Sequence, residues 1–390
     1  MQIYLDYSAT TPPRAEAIAA MHDAMTQQWG NASSLHQWGN RAATALERSR
    51  QQVAELINAP VPESIVFTSG GSEANNLAVL GIAKRFAAPQ HLIISAVEHS
   101  AIAEPARQLE DQGWQITRLS VDRQGAVSPD SLRAALRPNT ALVSIIYGQS
   151  EVGTLQPIAE LGAIARDHGV LFHTDAVQVA GRLPIDVQQL PIDLLSLSSH
   201  KIYGPQGAGA LYVHPSLKTK GPLPIILGGG QEGGLRSGTQ AVPNIVGFGV
   251  AAMLAMNEMP TETLRLIHLR DRFFALLKEV SHLIPTGDPR QRLPHHVSFC
   301  LPNGEVTGKA LVRQMNLAGI GISAGSACHS GQLSPSPILQ AMGYRDAIAT
   351  SGIRLTLGRH TTTADVDWSA MVLKQVLART LEHSRITLSV

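Results

Sequence analysis

The chain has 390 residues, which exceeds the length at which a single hydrophobic core keeps growing, so we expect one large domain and one smaller domain. Apolar residues make up 44% of the sequence, and 31 lysines and arginines nearly balance 30 aspartates and glutamates. This balance, with no cluster of lysines and arginines in the sequence, argues against direct nucleic-acid binding. A small-molecule substrate is the better expectation.

The first seven residues contain neither the basic nor the apolar region of a secretory signal, and no uncharged apolar run reaches the length of a membrane span. The sequence contains two cysteines, Cys300 and Cys328, which are too few for the disulfide framework of a secreted domain. We therefore expect a cytoplasmic protein outside the membrane, with reduced thiols.

Short apolar runs alternate with helical patterns through the first two thirds of the chain. The runs predicted to form buried strands are residues 65–68, 91–95, 141–146, 170–175, 194–198 and 210–213. An amphipathic stretch at 41–57 places Leu46, Val53 and Ile57 on one helical face. This alternation predicts a parallel sheet with helices on both faces, in a large domain of residues 14–258.

The pattern changes near residues 253–263, and a second set of elements follows. Its predicted parts are a helix at 264–280, a strand at 297–301, a helix near 309–317 and a Gly/Ser-rich stretch at 325–336. Thr362 and Asp365 form a capping-type signal for a final helix. These elements predict a smaller α+β domain of residues 1–13 and 259–390.

A glycine-rich turn follows the first predicted buried strand. The segment breaks the apolar run at Gly70 and Gly71, and a helical pattern starts at Ser72. Glycines let the backbone approach a phosphate closely, and a helix N-terminus offers unpaired N–H groups. The segment is therefore either an anion-binding turn or an ordinary glycine turn with a serine cap.

Two charged residues follow later strands. Asp175 closes the run at 170–175, and Lys201 follows the run at 194–198. Ligands of open α/β sheets bind beyond the carboxyl ends of the strands, so both positions belong to the binding edge. Taken alone, Asp175 is equally well explained as a helix cap and Lys201 as a solvated lysine. His173 with Asp175 lacks the third ligand of a metal site.

Together, the glycine turn, Asp175 and Lys201 supply an anion cradle, a carboxylate and an amine at one edge of a sheet. Pyridoxal 5'-phosphate needs these groups, because its phosphate must be anchored, its ring nitrogen kept protonated and its aldehyde tethered. The sequence therefore predicts a pyridoxal 5'-phosphate enzyme.

Short motifs of small, polar and charged residues occur along almost the whole chain. In chain order they are residues 5–12 (LDYSATTP), 30–36 (GNASSLH), 98–99 (EH), 175–178 (DAVQ), 198–205 (SSHKIYGP), 236–239 (RSGT), 323–328 (SAGSAC) and 354–359 (RLTLGR). This ordered set resembles the cysteine desulfurases, class-V aminotransferase-like enzymes that supply sulfur for iron–sulfur clusters. The resemblance implies a fold type I α/β large domain with a mainly parallel sheet covered by helices, a smaller α+β domain, and conversion of L-cysteine to L-alanine.

The resemblance also implies a role for individual residues. Lys201 tethers the cofactor, Asp175 pairs with its ring nitrogen, Gln178 hydrogen-bonds its ring hydroxyl and His99 stacks on its ring, with Lys201 and His99 as proton carriers. Arg354 binds the substrate carboxylate as a planar, two-pronged donor. The residues implied around the phosphate are Gly71, Ser72, Ser198 and His200, together with Thr239 of the second subunit of a homodimer.

The two cysteines lie in contrasting surroundings. Cys328 lies beside His329 in a run of small and polar residues, which favours thiolate chemistry, whereas the apolar run around Cys300 favours packing. The resemblance implies that Cys328 takes the substrate sulfur as a persulfide and passes it to an acceptor protein such as an iron–sulfur scaffold. Cys328 could also ligate a cluster iron transiently, and no other metal site is expected.

One position departs from the family pattern, and two rival functions stay open. Ser150 stands where the family has an asparagine that contacts the ring hydroxyl, and the shorter serine would need a bridging water to reach it. A cystine or cysteine C–S lyase, or an aminotransferase, would share the fold without using Cys328. A non-catalytic interaction protein would have lost the chemistry of Lys201.

Overall fold

The computed structural model describes residues 2–304, 306–325 and 334–388. The helices of these residues are α1 (Ala15–Gln27), α2 (Gln37–Leu56), α3 (Gly71–Ala83), α4 (Ser100–Asp111), α5 (Pro129–Ala135), α6 (Ile158–Asp167), α7 (Val242–Leu277), α8 (Gly308–Leu317), α9 (Pro337–Ala341), α10 (Asp346–Ala349) and α11 (Thr363–Leu388). The strands are β1 (Ile3–Tyr4), β2 (Ile65–Thr68), β3 (His91–Ser95), β4 (Gln115–Leu119), β5 (Thr140–Ile146), β6 (Leu171–Asp175), β7 (Leu194–Ser198), β8 (Gly209–Val213), β9 (Ile284–Pro285), β10 (His296–Cys300), β11 (Ile320–Gly321), β12 (Ser323–Ala324) and β13 (Ile353–Thr356).

A seven-stranded sheet forms the centre of the larger part of the molecule. Its strand order is β2-β8-β7-β6-β5-β3-β4, and the predicted apolar runs are confirmed as β2, β3, β5, β6, β7 and β8. β8 is antiparallel to both neighbours and the remaining pairs are parallel. The sheet is therefore mainly, not wholly, parallel, because the 199–208 connection is too short for a crossover between parallel strands.

Alternate residues of the strands point to opposite faces of this sheet, and both faces are covered. On one face Ile65 and Phe67 of β2 pack in a cluster with Phe248 of α7, and on the other Val66 packs in a cluster with Leu77 of α3. Strands buried on both faces consist of continuous apolar runs, which is why the sequence revealed them.

A second unit is built around a four-stranded antiparallel sheet with the order β12-β13-β10-β9. Its hydrophobic cluster joins Leu5 of the N-terminal segment, Phe273 of α7, Leu355 of β13 and Leu373 of α11. β1 pairs in parallel with β11, so the first residues of the chain pack with its last third.

Helix α7 connects the two hydrophobic clusters. It begins at Val242, well before the helix predicted at 264–280, and continues through Pro260. The predicted domain boundary at residue 258 lies inside this helix and stays a prediction. By length and composition α7 could cross a membrane, but 44% of its most apolar window is buried in the protein, and the core helix of a folded protein passes the same test.

Candidate active site

One cavity of about 500 Å³ lies at the carboxyl edge of the central sheet, where the parallel strands end. Residues of the second unit, including Ser323 and Arg354, close its other side. The predicted site residues that line it are Gly71, Ser72, His99, Ser150, Asp175, Gln178, Ser198, His200, Lys201 and Arg354. The fold thus collects side chains from distant parts of the chain at one place.

The glycine turn after β2 supplies unpaired donors for an anion. A Cβ atom on Gly71 would lie 2.7 Å from Val177 Cγ2 and 3.4 Å from Ser198 Cβ, so a larger residue would force the neighbouring side chain to move. Within the described chain, no side chain caps the N-terminus of α3, and the buried Ser198 Oγ has no hydrogen-bond partner. The first N–H groups of α3 and the Ser198 hydroxyl are therefore available to an anion.

Asp175 is a buried carboxylate at the end of β6. Its Oδ2 accepts a hydrogen bond from Asn75 Nδ2 at 2.7 Å, and its Oδ1 accepts one from the Val177 N–H at 3.0 Å. Among the described residues it forms no ion pair, although a buried carboxylate is costly without a cation. A protonated ring nitrogen would supply that cation. Asn75 received no role from the sequence, where it appears only as a polar residue one turn into α3.

Lys201 lies in the short helical turn Ser199–Lys201 directly after β7. Its Nζ donates hydrogen bonds to the carbonyl oxygens of Ser8 and Ala9, both at 2.7 Å. Burial, with the positive charges of Arg354 and Arg182, lowers the pKa of Lys201 to about 8. A lysine with this pKa has an appreciable neutral fraction near neutral pH, as a nucleophile or base requires.

Two histidines of the cavity have lowered pKa values. His99 caps α4, and its Nδ1 accepts a hydrogen bond from the Ala101 N–H at 3.1 Å. Burial lowers the pKa of His99. The Nδ1 of His200 lies 3.1 Å from Thr10 Oγ1, and burial lowers the pKa of His200 to about 4. His200 is therefore neutral near pH 7, and burial shifts His99 in the same direction.

Gln178 is fixed by the N-terminal segment. Its Nε2 donates to the Ser8 carbonyl oxygen at 2.9 Å, the same oxygen that accepts a hydrogen bond from Lys201. The Gln178 Oε1 is buried and has no partner in the part of the chain that the structure describes. This oxygen is free to accept a hydrogen bond from a hydroxyl group in the cavity.

Arg354 is held on two of its three nitrogens. Its Nη2 donates to Asp6 Oδ1 at 2.8 Å and its Nη1 donates to the Ser150 carbonyl oxygen at 3.0 Å. The Nε is buried and, across residues 2–304, 306–325 and 334–388, has no partner. Two of the five N–H groups of the guanidinium are thus used, and the Nε–H is among those left for a ligand. The Ser150 contact with the cofactor, predicted through water, stays a prediction.

The cavity is also lined by two buried carboxyl groups, those of Glu98 and Glu151, for which no role was predicted from the sequence. Glu98 Oε1 accepts hydrogen bonds from Ser95 Oγ at 2.5 Å and from the Ile146 N–H at 2.8 Å, and burial raises the pKa of Glu98 to about 8. Burial likewise raises the pKa of Glu151 to about 7. The positions of Glu98 before His99 and of Glu151 after β5 were the available signals.

Of the remaining predicted residues, one lies away from the cavity and one is not described by the structure. Thr239 is exposed and, in the described chain, is not among the residues lining its own cavity, so its contact with a second subunit's cofactor stays a prediction. Cys328 lies outside the described residues. Cys300 is buried as expected, and burial raises the pKa of its thiol to about 12. No group of three His, Cys, Asp or Glu side chains that could hold a metal occurs in the described residues.

The family model for class-V aminotransferases matches residues 3–368 of the chain. A relative named cysteine desulfurase IscS, from Dictyoglomus turgidum, is 43% identical over 380 residues, which cover 97% of this chain and 95% of the relative. The chain belongs to the class-V aminotransferase family, as a cysteine desulfurase.

Solved structures agree with the assignment of this chain to the cysteine desulfurases. A NifS-like protein superposes with a TM-score of 0.89 at 31% identity, covering 97% of this chain and all (100%) of the neighbour. A structure described as SspA in complex with cysteine has a TM-score of 0.80 at 35% identity, covering 93% of this chain and all (100%) of that one. The predicted fold type I architecture is confirmed.

The cavity of this cysteine desulfurase fits pyridoxal 5'-phosphate, the cofactor on which the family generally depends. Among the described residues, the buried Ser198 hydroxyl and Gln178 Oε1 have no hydrogen-bond partner, and the buried Asp175 carboxylate has no cation beside it. The cofactor offers a phosphate, a ring hydroxyl and a ring nitrogen. Gly71 has no Cβ, so its backbone can be approached closely by a phosphate at a place where a larger residue would clash with Val177.

Proposed function

We propose that this cysteine desulfurase uses pyridoxal 5'-phosphate held by Lys201 to convert L-cysteine to L-alanine, and that Cys328 receives the sulfur as a persulfide. The observation that carries the proposal is the single cavity at the carboxyl edge of the sheet. It combines a lysine with a lowered pKa, a carboxylate without a cation and a guanidinium with a free N–H.

The residues that would hold the cofactor are distributed around the cavity according to their chemistry. Asp175, supported by Asn75, would keep the ring nitrogen protonated, and Gln178 Oε1 would accept from the ring hydroxyl. The groups for the phosphate are Gly71, Ser72, Ser198 and His200, together with Thr239 of a second subunit. When bound, the cofactor supplies an electron sink for the carbon that loses a proton.

The enzyme's own groups position the substrate and carry its protons. Arg354 would bind the substrate carboxylate, with its free Nε taking part. Lys201 would hold the cofactor, and its neutral Nζ would accept the proton from the substrate α-carbon. His99, which faces the same cavity, is the second proton carrier. The solved relative described as a complex with cysteine supports L-cysteine as the ligand.

Sulfur transfer needs no external oxidant. The Sγ of the Cys328 thiolate forms a bond to the Sγ of the substrate, and the C–S bond of the substrate breaks. The electron pair of that bond stays on the three-carbon fragment, which takes up protons and leaves as alanine. The products are L-alanine and a persulfide on Cys328, for transfer in the cytoplasm to an acceptor such as an iron–sulfur scaffold.

The test compares the two cysteines of the chain as variants. For Cys328→Ser we expect the visible absorbance of bound cofactor to be retained and sulfide release from L-cysteine under reductant to fall at least ~100-fold, because the nucleophile is lost. Cys300→Ser is the matched control, since its buried thiol should not contribute. Full sulfide release by Cys328→Ser would instead favour a C–S lyase, which needs no protein thiol.

A further inference from the structure

Arg354 forms an ion pair with Asp6 at the wall of the cavity. The Nη2 and Oδ1 atoms are 2.8 Å apart, and the side chains are only 11% and 21% exposed. Both residues line the cavity, although 348 positions separate them in the sequence. An ion pair shielded to this extent is weakened little by salt. It therefore constrains the guanidinium in solution.

Backbone pairing fixes Asp6 in place. Asp6 forms a parallel bridge with Thr356, two residues beyond Arg354 on β13, and the Ser8 N–H donates to Thr356 Oγ1 at 2.9 Å. The Tyr4 hydroxyl donates to the Asp6 carbonyl oxygen at 3.0 Å. The backbone that carries the carboxylate is thus paired with the strand that carries the guanidinium, and this pairing holds the two groups next to each other.

A second acceptor completes the support of the guanidinium. Arg354 Nη1 donates to the Ser150 carbonyl oxygen, whose position is also fixed by His296 Nε2 at 3.1 Å. With Nη1 and Nη2 both held, the plane of the guanidinium is defined. The buried Nε, which has no partner among the described residues, is then presented in one direction. A planar two-pronged donor binds a carboxylate well only when its plane is correctly oriented.

We propose that Asp6 is a positioning residue that orients Arg354 for the carboxylate of the amino-acid substrate. The role rests on the proposed function of Arg354 as the carboxylate-binding residue. Asp6 itself makes no contact with the substrate in this scheme and acts through its Oδ1, which accepts a hydrogen bond from the guanidinium. Its effect is therefore specific to ligands that carry a carboxylate.

The experiment compares L-alanine with ethylamine, which is alanine without its carboxylate, as competitive inhibitors of the holoenzyme. For Asp6→Ala we expect the inhibition constant of L-alanine to rise about 10- to 100-fold, the usual cost of removing a charged hydrogen-bond partner. The constant for ethylamine should stay unchanged. Asp6→Asn should give an intermediate value, because its amide oxygen can still accept from Arg354 Nη2.

Two further variants separate the possible outcomes. Glu258→Ala is the control, because it removes a different arginine–carboxylate pair, the one between Glu258 and Arg14 at 2.6 Å. It should leave the inhibition constants of both L-alanine and ethylamine unchanged. The positioning role would be overturned by any of three results for Asp6→Ala: tighter binding of L-alanine, unchanged binding of both inhibitors, or an equal loss of affinity for both. If Arg354→Ala still distinguishes the two inhibitors as the wild type does, the proposed function of Arg354 fails as well.

Discussion

At the level of single residues, the cavity is unusual in containing two carboxyl groups with raised pKa values. Glu98 and Glu151 are both buried, and burial is the main cause of each shift. The Glu98 Oε2 and the Glu151 Oε1 have no hydrogen-bond partner in the described residues. Neither carboxyl therefore obtains the full set of donors that would stabilise its charged form.

The protonation of Glu98 predicts a pH-dependent stability. Its pKa is raised from 4.5 to about 8, so between these values the folded state keeps a proton that the unfolded state has lost. The contribution of Glu98 to stability is therefore fully present below about pH 4.5, falls by on the order of 5 kcal/mol in all as the pH rises, and is constant above about pH 8. Glu98→Gln removes this slope. Urea unfolding of the cofactor-free protein at several pH values measures it.

Glu151→Gln serves as the comparison for Glu98→Gln. As for Glu98→Gln, the variant should become more stable relative to the wild type as the pH rises. For Glu151→Gln this gain should become constant near pH 7, because burial raises the pKa of Glu151 to about 7. A pH-independent difference for Glu98→Gln would show that the pKa of Glu98 is the same in the folded and unfolded states, contrary to the expected effect of burial.

At the level of elements, the start of α11 was specified by its sequence. The Asp365 N–H donates to Thr362 Oγ1 at 3.1 Å, and the Thr362 N–H donates to Asp365 Oδ2 at 2.8 Å. This reciprocal pair confirms the predicted capping signal, and α11 begins at Thr363. The helix supplies Leu373 to the hydrophobic cluster of the second unit, so its cap supports that whole unit.

We expect Thr362→Ala to lower the free energy of unfolding by about 1 kcal/mol, because the first turn of α11 loses a hydrogen-bond acceptor. Thr362→Ser keeps the hydroxyl and should stay close to the wild type. Urea unfolding of both variants measures the difference. An equal loss in the two variants would mean that the methyl group of Thr362, and not its capping bond, is responsible.

Local patterns predicted the elements that are buried on both faces and missed those that depend on distant contacts. β4 escaped prediction because it lies at the edge of the sheet and most of its residues are at least partly exposed. The glycine turn, Asp175 and Lys201 could be found because each follows an apolar run. The contact of Asp6 with Arg354 could not, since no local signal links residues so far apart in the chain.

At the scale of the whole molecule, the segment that carries Thr239 is held rigidly but left exposed. Glu232 forms a buried ion pair with Arg50 at 2.7 Å, and Arg236 forms a partly buried ion pair with Glu73 at 2.9 Å. Glu73 also accepts a hydrogen bond from the Ser69 N–H at 2.8 Å, which ties the segment to the glycine turn. A fixed segment with an exposed polar residue is well suited to contribute that residue to another subunit.

In the proposed homodimer, mixed dimers test whether Thr239 acts across the subunit interface. Lys201→Ala and Thr239→Ala chains with different affinity tags are produced together, and the species carrying both tags is purified. If Thr239 serves the partner's cofactor, one site of the mixed dimer combines an intact Lys201 with an intact Thr239. Sulfide release should then recover to about half that of the wild-type dimer, because one of two equivalent sites is restored. If Thr239 serves its own chain, every site keeps one defect, and the mixed dimer should be no more active than the average of its two parent homodimers.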